Sequence, residues 1–140
     1  MRRTFSFLLN LAVYVGIIAG VLFGMPRFLL WYLHTPYPMA AITSGSMWPV
    51  LHTGDLAFIE GVGKGDLRVG DIVVWKNSQG FTIHRVVRLE EDRLVTKGDA
   101  NFTEDDPVKY EDVIGRLHQV WGRNARIPQL GLITMYASQR

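Results

Sequence analysis

The chain has 140 residues, a formal charge of +2 and no cysteine. That length holds one domain, or less if part of it lies in lipid, and the missing cysteines exclude disulfides and thiolate metal sites. Only Arg2, Arg3 and Arg27 lie in the first 34 residues, and beyond them twelve Lys and Arg face thirteen Asp and Glu. No basic stripe is left for a nucleic acid, and none is expected as a partner.

Residues 4–26 carry no charge and are rich in Phe, Leu, Val and Ile. As a helix they extend roughly 34 Å, against a hydrocarbon core of about 30 Å. The run exceeds the ~7–15 residues of a secretory h-region. Pro38-Met39-Ala40-Ala41 also lacks an Ala-x-Ala cleavage pattern, so the segment reads as a retained anchor rather than a cleaved signal. Arg2, Arg3 and the amino terminus outweigh Arg27, which puts the N-terminus in the cytoplasm and the remainder outside.

Gly16, Gly20 and Gly24 recur every four residues. On an α-helix they share a face and admit a partner helix, although glycine is common in membrane helices without that role. Trp31, Tyr32 and Tyr37 follow as an interfacial aromatic belt, and Pro36 and Pro38 end the helix. The expected division is an anchor over residues 1–34 and an extracytoplasmic domain over residues 35–140.

Next comes Ser44-Gly45-Ser46-Met47-Trp48-Pro49. Gly45 is expected to permit a backbone conformation closed to bulkier residues, with Pro49 fixing the exit direction. Such a turn exposes one hydroxyl beside a backbone N–H. A nucleophilic serine needs those and a base, although most Ser-Gly-Ser turns are only turns.

From residue 41 the pattern becomes short apolar runs bounded by Gly, Asp and Asn. Leu56–Ile59, Ile72–Trp75, Phe81–Leu89, Arg93–Thr96 and Val113–Trp121 read as strands. They form a mostly β domain, barrel-like or a folded sheet, of about a hundred residues. Gly61-Val62-Gly63-Lys64-Gly65 lacks the Ser or Thr and the helix of a phosphate loop, and reads as a flexible loop.

In the third run, alternation puts Thr82, His84, Val86 and Arg88 on the less apolar face. That setting argues against a buried core histidine, and histidine is the natural base for a serine. Arg85 stays protonated and cannot serve. His34 falls in the interfacial segment, and neither His52 nor His118 shows a comparable polar setting. Downstream, Lys97-Gly98-Asp99-Ala100-Asn101 and Glu104-Asp105-Asp106 read as a solvated acidic loop, with spacing wrong for an EF-hand calcium site. One of these carboxylates is also able to orient His84.

The motifs together resemble type I signal peptidase. They are Ser44-Gly45-Ser46-Met47-x-Pro49 followed by Gly54-Asp55, then Gly70-Asp71-Ile72-Val73-Val74, Ile83-His84-Arg85-Val86 and Lys97-Gly98-Asp99. The resemblance runs from Ile42 to Thr134. Histidine where bacterial members carry a lysine base is similar to the archaeal and endoplasmic-reticulum branch, a form also carried by some Gram-positive bacteria.

The resemblance implies Ser46 as nucleophile, His84 as general base and Asp105, with Asp106 next to it, as the essential aspartate. It further implies Asp99 as a second functional carboxylate, and Ser44 beside the Ser46 N–H at the oxyanion. Ala100 stands where many relatives have Asn. Many relatives also continue into a second apolar segment beyond Ile127-Pro128-Gln129-Leu130-Gly131, so this chain has one anchor only or was shortened.

The implied fold is a mostly β catalytic domain on a single N-terminal transmembrane helix. The implied activity is membrane-anchored serine endoproteolysis that removes N-terminal signal peptides after small residues, with no cofactor or metal. Its partners are signal-peptide-bearing precursors and membrane lipid, with a helix partner through Gly16, Gly20 and Gly24. Localisation is the cell membrane or an endoplasmic-reticulum-type membrane. Trp48, Trp75 and Trp121 are candidates for a membrane-facing rim, with core packing as the plainer reading. A self-cleaving repressor would need a lysine base and a DNA-binding domain. The other alternative is a non-catalytic, membrane-anchored peptide-binding subunit of a translocation complex.

Overall fold

A computed structural model describes residues 2–138, with side chains over residues 5–137. The side chains of Arg2 and Arg3, which carry the expected orientation, lie outside the described residues, as does Arg140. Helix α1 (Arg2–Ala19) runs through a π-helical turn (Gly20–Gly24) into α2 (Met25–Leu33). Phe5–Leu33 is long and apolar enough to cross a membrane. Its side chains stay exposed as far as α2, where Leu33 becomes buried. A helix that is apolar on all sides and exposed along most of its described length is suited to lipid. The wider π turn changes the expected glycine stripe, because i→i+5 bonding rotates Gly24 off the line that an α-helix would give it.

The helix stops at His34, which takes a left-handed conformation before Pro36 and Pro38. Leu33 then ties the helix to the β domain: its carbonyl accepts the Gly61 N–H at 2.7 Å. Tyr32 meets the ring of His118 edge-on.

The strands are β1 (Met39–Ala41), β2 (Leu56–Glu60), β3 (Ile72–Asn77), β4 (Gly80–Leu89), β5 (Arg93–Lys97), β6 (Val108–Lys109) and β7 (Val113–Leu117). They form one antiparallel sheet in the order β1-β2-β7-β3-β4-β5-β6. β8 (Gln119–Val120) and β9 (Arg123–Asn124) make a hairpin, β10 (Arg126–Ile127) pairs β2, and α3 (Gly131–Ser138) follows. The expected run over 113–121 therefore splits, and its last residue, Trp121, sits in a turn at φ 51°.

Two core clusters occupy the sheet. Met47, Leu51, Ile59, Ile72 and Val74 belong to one, and Val73, Val86 and Leu94 to the other. β3 therefore contributes to both, which explains its unbroken apolar run. Among the tryptophans, Trp48 and Trp121 are 59% and 97% exposed. That rules out core packing for both; Trp75 is half-buried. Lys64 is also more than a loop residue, because its ammonium lies over the Tyr110 ring and donates to the Glu91 carbonyl.

Candidate active site

Ser46 opens a tight turn whose direction is set by burial. Met47 and Leu51 are fully buried in the first core cluster, and the Leu51 N–H closes the turn on the Met47 carbonyl at 2.9 Å. With Met47 drawn inward, its neighbours Ser46 and Trp48 are left toward the surface. The expectation for Gly45 is not met: its φ is not positive, and an added Cβ would meet nothing within 4 Å. The demanding glycine is Gly98, where a Cβ would fall 2.7 Å from the Ser46 carbonyl oxygen. That close approach lets the Ala100 N–H reach the same carbonyl at 2.8 Å.

β4 carries His84 to this turn. Its Nε2 lies 3.0 Å from Ser46 Oγ and its Nδ1 lies 2.6 Å from Asp105 Oδ2. A carboxylate only accepts, so Nδ1–H donates to Asp105 and Nε2 is left to accept the Ser46 hydroxyl. Ser44 Oγ is 3.1 Å from Ser46 Oγ. Once Ser46 donates to His84, Ser44 donates to Ser46.

Against the sequence reading, His84 is buried, at 8% exposure. The Ser46 turn and the Asp105 segment after β5 both lie against the His84 ring, whereas Arg88 on the same face of β4 stays exposed. Asp105 is partly buried and is held on β5: its N–H donates to the Thr96 carbonyl at 2.8 Å, and Thr96 Oγ1 donates to Oδ2 at 2.6 Å. Asp106 is exposed. Asp99 does not reach His84. It binds the Arg85 guanidinium through two 2.7 Å hydrogen bonds, and these hold the Arg85 pKa above its usual value. Among the described residues no group of three His, Cys, Asp or Glu is placed to hold a metal ion.

Beside Ser46 and His84 lies a cleft of about 270 Å³, lined by Ala41, Thr43, Ser44, Ile83 and Asn101 among others. It runs along β1, which among the described residues pairs with β2 only and so leaves one edge open. No backbone hydrogen bond engages the Ser46 N–H among the described residues.

Two further carboxylates frame the domain: the sequence reading placed Asp55 in a Gly-Asp motif without giving it a role, and did not single out Glu60. Burial pushes the buried Asp55 carboxyl upward, but the His52 backbone N–H and the Arg126 guanidinium outweigh it, leaving the pKa below the usual carboxylate value. Glu60 behaves alike: burial raises it, while hydrogen bonds from Arg116 and His118 bring it below the usual value. His118 thus has a polar setting after all, but 58 residues separate it from that partner.

No family model matches the chain. Among curated proteins it is 33% identical over 120 residues to the signal peptidase complex catalytic subunit SEC11 of Lachancea thermotolerans, covering 73% of this chain and 67% of that protein. The Pyrenophora tritici-repentis subunit sec11 is 35% identical over 121 residues, covering 75% and 66%. The Homo sapiens subunit SEC11C is 32% identical over 114 residues, covering 70% and 56%. The chain therefore spans about two thirds of the length of the fungal relatives and little more than half of the human one. That degree of identity, across a chain whose motifs keep their order on an apolar helix and an antiparallel sheet, shows that it belongs to the type I signal peptidase family, on the branch of the SEC11 catalytic subunits.

Proposed function

We infer that this chain is a membrane-anchored serine endopeptidase that removes N-terminal signal peptides from secreted and membrane precursors. The observation that carries the reading is the unbroken hydrogen-bonded series Ser46–His84–Asp105. Ser46 Oγ attacks the carbonyl carbon of the scissile bond while His84 Nε2 takes its proton, and Asp105 stabilises the imidazolium. The Ser46 N–H, with Ser44 rotating toward it, binds the tetrahedral oxyanion. His84 then protonates the leaving amine. Water, deprotonated by His84, releases the acyl group and restores Ser46.

The open edge of β1 receives the extended precursor as an added strand. The cleft lined by Ala41 and Thr43 suits small side chains before the cut. Residues 1–34 serve as the anchor, with the N-terminus in the cytoplasm and the site outside, in the cell membrane or an endoplasmic-reticulum-type membrane. Confined to one surface, enzyme and substrate meet at one depth, with Trp48 and Trp121 toward the lipid. A partner helix would seat on Gly16 and Gly20.

A serine-directed covalent probe tests this reading: it should label Ser46 in the wild type and leave Ser46→Ala unlabelled. A protein that only binds peptides would not be labelled at all.

A further inference from the structure

Thr96 is fully buried, at 0% exposure, and sits on β5 opposite Val86 of β4. A buried hydroxyl needs a partner, and among the described residues its partner is Asp105 Oδ2, at 2.6 Å. The same residue's carbonyl accepts the Asp105 N–H at 2.8 Å. Thr96 therefore grips Asp105 at both ends, by backbone and by side chain. The oxygen it grips also accepts His84 Nδ1–H at 2.6 Å.

We propose that Thr96 is a positioning residue for proton transfer, fixing through its hydroxyl the carboxylate oxygen that orients His84. The proposal rests on the Ser46–His84–Asp105 reading above. A carboxylate joined to a loop through two rotatable side-chain bonds has several orientations open to it. Two donors converging on Oδ2 from β4 and β5 leave one. Because β4 and β5 are neighbouring strands of the same sheet, the separation of the two donors is set by the sheet and not by the loop. The hydroxyl also spreads the carboxylate charge over a second donor. Thr96 touches no reacting atom, so its effect falls on the chemical step and not on binding.

The experiment is precursor cleavage by the full chain in lipid, with kcat and KM measured for Thr96→Val and Thr96→Ser beside Ser46→Ala, His84→Ala and Asp105→Asn. Thr96→Val keeps the shape and removes the donor, and should lower kcat about 10- to 100-fold with KM within about twofold. Thr96→Ser restores the hydroxyl and should recover most of the rate. In an Asp105→Asn background, Thr96→Val should cost little more, because residues acting as one unit are not additive. Should Thr96→Val not fold, Thr96→Ala removes the donor without adding bulk and is read the same way.

If Ser46→Ala and His84→Ala lose cleavage while Thr96→Val stays within about twofold of wild type, the proposal fails and the Ser/His reading stands. Equal losses in Thr96→Ser and Thr96→Val, or a full further loss on the Asp105→Asn background, would make Thr96 merely structural and also overturn it. Cleavage surviving in Ser46→Ala would remove the reading beneath it.

Discussion

The backbone of Gly98 lies against the carbonyl of Ser46, so closely that a single added carbon would stand 2.7 Å from that oxygen. The contact joins two segments more than fifty residues apart, the turn that presents the hydroxyl and the loop that leads to Asp105. Gly98→Ala cannot be absorbed by a flexible side chain, because the obstructing atom is backbone. The variant should fold yet lose about 10- to 100-fold in cleavage rate, since shifts of about 1 Å at a reacting group cost that much. Steady-state kinetics beside a melting curve check it, and an unimpaired Gly98→Ala would show that the contact does not position Ser46.

Asp99 and Asp105 separate by their partners. Asp105 faces His84, whereas Asp99 holds Arg85. Asp105→Asn replaces an acceptor that fixes the imidazole tautomer, with an expected loss of at least about a thousandfold in kcat. Asp99→Asn loosens the Arg85 clamp on the Gly98–Asn101 turn and should lose less, roughly tenfold, with a lower melting temperature. Equal losses in the two variants would place Asp99 in the chemistry itself.

Asp55 and Glu60 give the fold a dependence on acid. Each is held below its ordinary carboxylate value in the folded protein. Such a group contributes stability above its unfolded value and gives it up as pH falls through the folded one. Melting temperature should therefore be level near neutrality and decline as the pH drops below about 4. Asp55→Asn and Arg126→Gln should each lower stability at neutral pH and flatten that decline. A decline of unchanged depth in both variants would assign the acid sensitivity elsewhere.

Association through the anchor has its own test. Gly16 and Gly20 have open space where a side chain would stand. If a partner helix packs there, Gly20→Ile should weaken association in detergent, read by crosslinking or sedimentation. Unchanged association would count against that packing.

Much of this was legible in the sequence because it depends on local pattern. The five longer strands were marked by β-branched and aromatic runs, and the apolar helix by twenty-odd residues without charge. The short strands β1 and β10 were not, since two or three residues carry no period; their pairing with β2 is imposed by the neighbouring chain. The last run breaks at His118, whose backbone bonds Phe58 and Ala125 in other segments, and ends at Trp121 in a left-handed turn; neither shows in a local apolar pattern.

The site divides along the same line. Ser46 and His84 stand in recognisable motifs, but the burial of His84 comes from residues that fold over it. The double grip of Thr96 on Asp105 joins a strand to a loop nine residues on, and Glu60 with His118 spans 58. Strand alternation sees one strand at a time and cannot see a cover supplied by another segment.

The most direct measurement is cleavage of a signal-bearing precursor by the purified protein in lipid, beside Ser46→Ala and His84→Ala. The account predicts a cut after a small residue, and a loss of at least about a thousandfold in each variant with folding intact. Cleavage that persists without the Ser46 hydroxyl, or without the His84 imidazole, would contradict it.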